Sequence, residues 1–114
     1  KPEVMLFRLV DIVETSKFFK YTFCNDHTIQ LTIKSKIPQS FILYSVYNIK
    51  LSLGIEHVPK FHSQNYMEYL GVILKRTRNS IHVQSGNVHF LFPIAAYDAK
   101  PGMDVWVLVE QIKK

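Results

Sequence analysis

Apolar and polar residues alternate with a period of two along much of this chain. The clearest example is residues 29–34, Ile-Gln-Leu-Thr-Ile-Lys, and residues 47–53 and 81–85 follow the same rule. Successive side chains of a β-strand leave opposite faces of the sheet, so this period indicates strands with one buried face. The sequence contains no long amphipathic helical pattern.

Residues 66–92 predict three consecutive antiparallel strands, around which the rest of the chain is organised. Three apolar runs are separated by two polar connections, Arg-Thr-Arg-Asn at 76–79 and Gly86-Asn87. Two-residue hairpin turns need positive φ, which glycine and asparagine tolerate. We therefore expect a tight hairpin in which Asn87, like Gly86, can adopt positive φ.

Five further strands are predicted outside this meander. They cover approximately residues 4–13, 18–25, 29–34, 47–53 and 105–111. A crossing loop with one helical turn is expected at 35–44, a surface loop at 55–65, and a connection with a helical turn at 95–102. Eight strands with closely spaced turn signals indicate an all-β antiparallel barrel or sandwich. We favour a closed eight-stranded barrel because closure leaves no exposed edge strand.

The 114 residues predict a single domain spanning residues 1–114, and the hydrophobic content of 47% argues against disorder. Residues 1–20 lack the pattern of a signal peptide, and no apolar run approaches the roughly 18 residues that cross a membrane. Cys24 is the only cysteine, which excludes an internal disulfide and favours a reducing compartment. We therefore expect a cytoplasmic protein without membrane contact.

The net charge of +5 permits contact with nucleic acid, although the lysines are spread along the chain. A local cluster at the first hairpin tip, Lys75, Arg76 and Arg78, is the candidate for a weak nucleic-acid contact. Most aromatic side chains alternate onto the inward face. The aromatic residues expected to be exposed, where bases could stack on them, are Phe18, Phe41, Tyr44, Phe61, Tyr66 and Tyr97.

The sequence contains no constellation typical of an enzyme. Its acidic residues are scattered at turns and strand ends, and no phosphate-binding glycine pattern is present. His57 and His62 on one loop, with Cys24 far away in sequence, would be an incomplete metal site. We therefore expect no catalytic residue, no metal, no cofactor and no small-molecule substrate; a small enzyme or metal protein using these three residues is the third alternative.

The last strand is apolar on both faces, because its three valines alternate with Trp106 and Leu108. Either the connection at 95–103 or another protein must cover the second face. Leu91 likewise interrupts the alternation of its strand. Tryptophan is typical of interface hot spots, so Trp106, Leu108 and Leu91 are the candidate partner interface.

These features resemble the eighth small subunit of the DNA-directed RNA polymerases of archaea and eukaryotes. The resemblance covers most of the chain. It lies in an aromatic-x-Gly-apolar-apolar strand at residues 69–73 (Tyr-Leu-Gly-Val-Ile), in a hairpin at 83–88 (Val-Gln-Ser-Gly-Asn-Val), and in an apolar last strand followed by Lys113-Lys114. The long acidic insertion of eukaryotic members is missing, and the short segment 54–65 stands in its place, which favours an archaeal-type member.

The resemblance implies a barrel of the oligonucleotide-binding (OB) type. It also implies a peripheral, non-catalytic subunit that docks on the largest polymerase subunit and supports assembly of the polymerase core. The alternative is a free-standing OB-type protein that binds single-stranded nucleic acid, which the charge and the aromatic content favour.

Overall fold

The computed structural model describes residues 6–54 and 66–112, which contain eight strands and no helix. The strands are β1 (Leu6–Glu14), β2 (Phe19–Cys24), β3 (Gln30–Ser35), β4 (Val46–Leu53), β5 (Tyr66–Arg76), β6 (Ile81–Ser85), β7 (Val88–Phe92) and β8 (Asp104–Ile112).

The strands close into an antiparallel barrel in the order β1-β2-β3-β7-β6-β5-β8-β4, with β4 paired back to β1. This confirms the predicted all-β barrel, and the strand bounds agree with the sequence within about two residues where the structure describes them. No helix in the described ranges has the length and apolarity of a membrane span.

The barrel interior is filled by the inward-facing residues of all eight strands, as the alternation predicted. The β8 valines, Val105, Val107 and Val109, are fully enclosed, as are Phe23 of β2 and Phe90 of β7. Burying an aliphatic or aromatic side chain of this size stabilises the fold by about 1.5–3 kcal/mol relative to exposure. Together, the buried side chains form one continuous hydrophobic core.

The connection between β3 and β4 differs from its prediction. It contains no helical turn, and Phe41, expected to be exposed, is buried. Its ring packs edge-on against Tyr21, Phe23 and Tyr47, with ring centroids 5.0–5.6 Å apart. The connection folds back over the barrel interior and places this ring in the core, a long-range contact that local alternation cannot report.

The hairpin between β6 and β7 is the expected two-residue turn, with Ser85 opposite Val88. Gly86 has φ of +56°, but Asn87 is not among the non-glycine residues with positive φ, so that part of the prediction was wrong. Positive φ at the first central residue alone is the signature of a type II′ turn, which also matches the twist of the flanking strands.

The connection between β7 and β8 contains turns but no helical turn. Its Ala99 is buried, and the backbone N–H of Ile73 in β5 donates to the carbonyl of Met103 at 2.9 Å. Ile94 and Ala96 pack against the core. The contacts of this connection are thus with the core and with β5.

Candidate interaction surfaces

The three residues predicted as a partner interface do not form one surface. Leu108 lies on the face of β8 opposite the core valines, yet it is only 1% exposed. Trp106 is half-buried, and its Nε1 is enclosed without a hydrogen-bond partner. Leu91 is half-buried on β7, which β6 and β5 separate from β8. Of the three, Trp106 is the one that lies beside an exposed apolar surface.

That surface is the outer face of β5. Leu70 and Leu74 are each 53% exposed, and Val72 between them is 37% exposed. In the strand register, Leu70 lies directly opposite Trp106. We call Leu70, Val72, Leu74 and Trp106 the β5 apolar face. A strand whose outer face meets solvent usually carries polar residues there. Because β5 carries aliphatic residues instead, this face is suited to contact with another apolar surface.

A second region with exposed aliphatic side chains, Val10, Ile12 and Val13, lies in the part of β1 that β4 does not reach in the described structure. On the side of β1 that faces β4, the backbone hydrogen bonds reach as far as Leu9. The Leu9 carbonyl accepts from the Tyr44 N–H of the β3–β4 connection at 2.7 Å. Among the described residues, β4 pairs only with Leu6 to Arg8 of β1, and β1 continues to Glu14 paired with β2 alone. The strand register therefore gives this part of β1 one paired edge, a geometry that can accept an added strand.

The predicted basic cluster at the β5–β6 hairpin does not converge. The Nε of Arg76 donates to the carbonyl of Ala96 at 3.1 Å, so this guanidinium holds the β7–β8 connection against β5. Lys75 and Arg78 are exposed. The hairpin tip itself is closed by Thr77 and Ser80, whose hydroxyl oxygens lie 2.6 Å apart.

A cleft with basic walls lies elsewhere, between the β1–β2 turn and the β6–β7 hairpin. It has a volume of about 230 Å³ and is lined by Lys17, Lys34, Lys36, Phe18 and His89, among others, with no carboxylate. Strand pairing brings these residues together: Lys34 lies opposite His89, and the Lys36 N–H donates to the Asn87 carbonyl at 3.1 Å. The Lys34 ammonium lies 5.0 Å from the centroid of the Phe18 ring.

A hydrogen-bonded chain orients the histidine in this wall. Gln84 Nε2 donates to the Gly86 carbonyl at 2.8 Å, so its Oε1 faces His89 Nδ1, 3.0 Å away. His89 Nδ1 therefore carries the hydrogen, and His89 Nε2 lies 3.3 Å from Nδ1 of His82. Burial lowers the pKa of His89, and the nearby His82 and Lys34 lower it further.

The part of the chain that the structure describes holds no group of three metal-ligating side chains. Cys24 is a free, half-buried thiol whose Sγ lies 3.6 Å from the Asn25 carbonyl. His57 and His62 lie outside the described residues.

Sequence reasoning missed two of these features for different reasons. The signal for the β5 apolar face was present, because residues 69–74 read Tyr-Leu-Gly-Val-Ile-Leu without a polar residue on either face. The basic cleft had no local signal. Lys17 lies in the β1–β2 turn, Lys34 in β3 and Lys36 just after β3, and only the pairing of β3 with β7 brings them to His89.

Comparison of this chain with protein-family models, with curated proteins and with solved structures finds no match in any of the three.

Proposed function

We propose that this protein is a non-catalytic structural subunit of a DNA-directed RNA polymerase, docked on the largest subunit. The observation that carries the proposal is the β5 apolar face, three exposed aliphatic residues in a row beside Trp106. A closed barrel has no structural need for such a row on its outside. Its burial against a partner would provide the driving force for docking.

The identity of the larger partner rests on the sequence resemblance. The motif residues occupy structurally demanding positions in the barrel: Gly71 lies where β5 approaches β6 closely, and Gly86 opens the β6–β7 hairpin. On this basis we further propose that the barrel is of the OB type, that the chain is an archaeal-type member, and that it works with the polymerase core in the cytoplasm.

The test is the isolation of the native chain with whatever is bound to it, followed by mass spectrometry. We expect the polymerase subunits to co-purify with the wild-type chain. The double substitution Leu70→Ser/Leu74→Ser should reduce the recovered polymerase roughly tenfold or more, because interface hot spots contribute 2 kcal/mol or more each.

The matched control is Ile37→Ser/Ile42→Ser, which removes two equally exposed aliphatic side chains from the β3–β4 connection. This variant should keep the polymerase. Equal loss in both variants would show that the β5 apolar face is not the docking surface. A wild-type chain recovered free of polymerase would contradict the proposal itself.

A second candidate function is the binding of single-stranded nucleic acid by a free-standing barrel. It is favoured by one observation, the cleft lined by three lysines and a histidine without a carboxylate. The two functions use different surfaces, so they can be tested separately.

A further inference from the structure

We propose that the cleft between the β1–β2 turn and the β6–β7 hairpin binds a nucleotide unit of single-stranded nucleic acid. Lys17 and Lys36 would hold the phosphate, and Phe18 would stack on the base. This inference rests on the second candidate function and assigns it a site that the Lys75–Arg78 cluster does not provide.

The positive charge of the cleft favours the binding of an anion. Its lining carries the ammonium groups of Lys17, Lys34 and Lys36, and its wall contains the ring of His89. No acidic side chain lines it, so the positive field is not neutralised locally. Lysines that neutralise phosphates release condensed counterions, which is the main source of affinity for nucleic acid.

The Phe18 ring favours a ligand with a planar group that can stack on it. Phe18 is half-buried and ends the β1–β2 turn. The Thr15 hydroxyl stabilises this turn by accepting a hydrogen bond from the Phe18 N–H at 3.0 Å. The ring is therefore presented by a fixed backbone. Stacking of a base on an aromatic side chain contributes about 1–3 kcal/mol and tolerates any base.

The walls of the cleft are preorganised. Lys36 is tied to Asn87 through the backbone, and Gln84 is held by two hydrogen bonds, to Gly86 and to His89. Lys34 of β3 and His89 of β7 lie opposite each other on paired strands of the closed barrel. A ligand would thus order mainly the exposed lysine side chains, which keeps the entropic cost of binding small.

The size of the cleft favours one nucleotide unit over a larger ligand. A volume of about 230 Å³ is below the roughly 300–1,000 Å³ of pockets that enclose drug-sized molecules. It accommodates a phosphate and part of a base, while the rest of a strand continues over the surface. An acidic peptide would match the charge but would leave the aromatic ring unused.

The experiment measures binding of a fluorescently labelled oligothymidylate to the full chain at low ionic strength. The cleft variant Lys17→Gln/Lys36→Gln should bind roughly tenfold or more weakly. Its slope of log affinity against log salt should be smaller by about 0.7, because the two lysines hold one phosphate and each phosphate contact to a single strand contributes about 0.7. Phe18→Leu keeps an apolar side chain and should weaken binding roughly fivefold or more.

The matched control is Lys50→Gln/Lys100→Gln, which removes the same charge from two lysines that do not line the cleft. It should bind within about twofold of the wild type, since long-range charge effects are screened. Equal weakening in both double variants would show that binding follows net charge and would overturn the site. Wild-type chain that does not bind the oligothymidylate would overturn both the site and the second candidate function.

Competition identifies the ligand chemistry. Thymidine monophosphate should displace the labelled strand at lower concentration than inorganic phosphate does, because only the nucleotide carries a base for Phe18. Equal potency of the two would contradict the stacking role. A polyglutamate peptide that competes as well as an unlabelled oligothymidylate would show that the cleft binds acidic peptides instead.

Discussion

A Cβ atom added to Gly71 would stand 2.7 Å from the backbone oxygen of Gln84 on the neighbouring strand. This contact explains why a glycine occurs in the middle of the long strand β5, where its flexibility otherwise weakens pairing. We expect Gly71→Ala to lower the free energy of unfolding by about 1–3 kcal/mol through overpacking against β6. Urea denaturation measures this change.

The control for Gly71 is Glu68→Ala, which changes an exposed side chain on the same strand. Its unfolding free energy should change by less than about 0.5 kcal/mol, because substitutions of exposed residues away from packed or strained positions have small effects. If Gly71→Ala were as stable as the wild type, β6 would have to move away at no cost, and the close approach would not constrain the barrel.

Phe41 should behave as a core residue although it lies on a connection. Its ring is 7% exposed and contacts three aromatic rings. We expect Phe41→Ala to destabilise the fold by about 3–5 kcal/mol, as for other buried aromatic residues. Tyr97→Ala, at a site 93% exposed, should change stability by less than about 0.5 kcal/mol. Similar thermal unfolding of the two variants would contradict this assignment.

Tyr69 should make stability fall at high pH. Its hydroxyl donates to Gln39 Oε1 at 2.9 Å, and burial, with a smaller contribution from Tyr21, raises its pKa to about 12. The unfolded chain loses the proton near pH 10, whereas the folded chain keeps it. Stability is therefore constant with respect to this group below pH 10 and decreases between pH 10 and about 12.

The measurement is urea denaturation of wild type and Tyr69→Phe across that pH range. The variant loses one hydrogen bond, about 1 kcal/mol at neutral pH, and has no proton to lose. Its stability should fall less steeply than that of the wild type. Burial also raises the pKa of Tyr47, but this residue is present in both chains and therefore affects both pH profiles. Parallel pH profiles would show that the Tyr69 hydroxyl is not protected in the folded state.

His89 should make stability fall at mildly acidic pH. Its pKa is lowered by burial and by His82 and Lys34, so the unfolded chain binds the proton first as the pH falls below about 6.5. Stability then decreases until the lower, folded-state pKa is reached. His89→Asn should lose less stability between pH 7 and pH 5 than the wild type.

The comparison variant is His27→Asn, which removes an exposed histidine from the β2–β3 turn. It should follow the wild-type profile. A bound nucleotide phosphate would favour the protonated ring, so saturating oligothymidylate should raise the pKa of His89 in an NMR titration of its ring protons. A lower pKa in the complex would place the phosphate away from His89.

Local pattern was enough to predict the strands, because a half-buried strand shows its period within a few residues. The interval from Ile81 to Phe92 illustrates this: both strands and the two-residue turn follow from adjacent residues. Where a side chain is buried by a distant part of the chain, the pattern failed. Phe41 was expected to be exposed, but it is buried against Tyr21 of β2 and Tyr47 of β4.

By itself, the sequence predicted the strands of residues 6–54 and 66–112, their inward faces and the lack of a long amphipathic helical pattern, since each depends on side chains a few positions apart. Only the tertiary structure decided which strands far apart in the chain are neighbours, and hence which surfaces they form. The pairing of β3 with β7 places Lys34 beside His89, and the pairing of β5 with β8 places Leu70 beside Trp106. These contacts join residues far apart in the chain, where no local period can connect them.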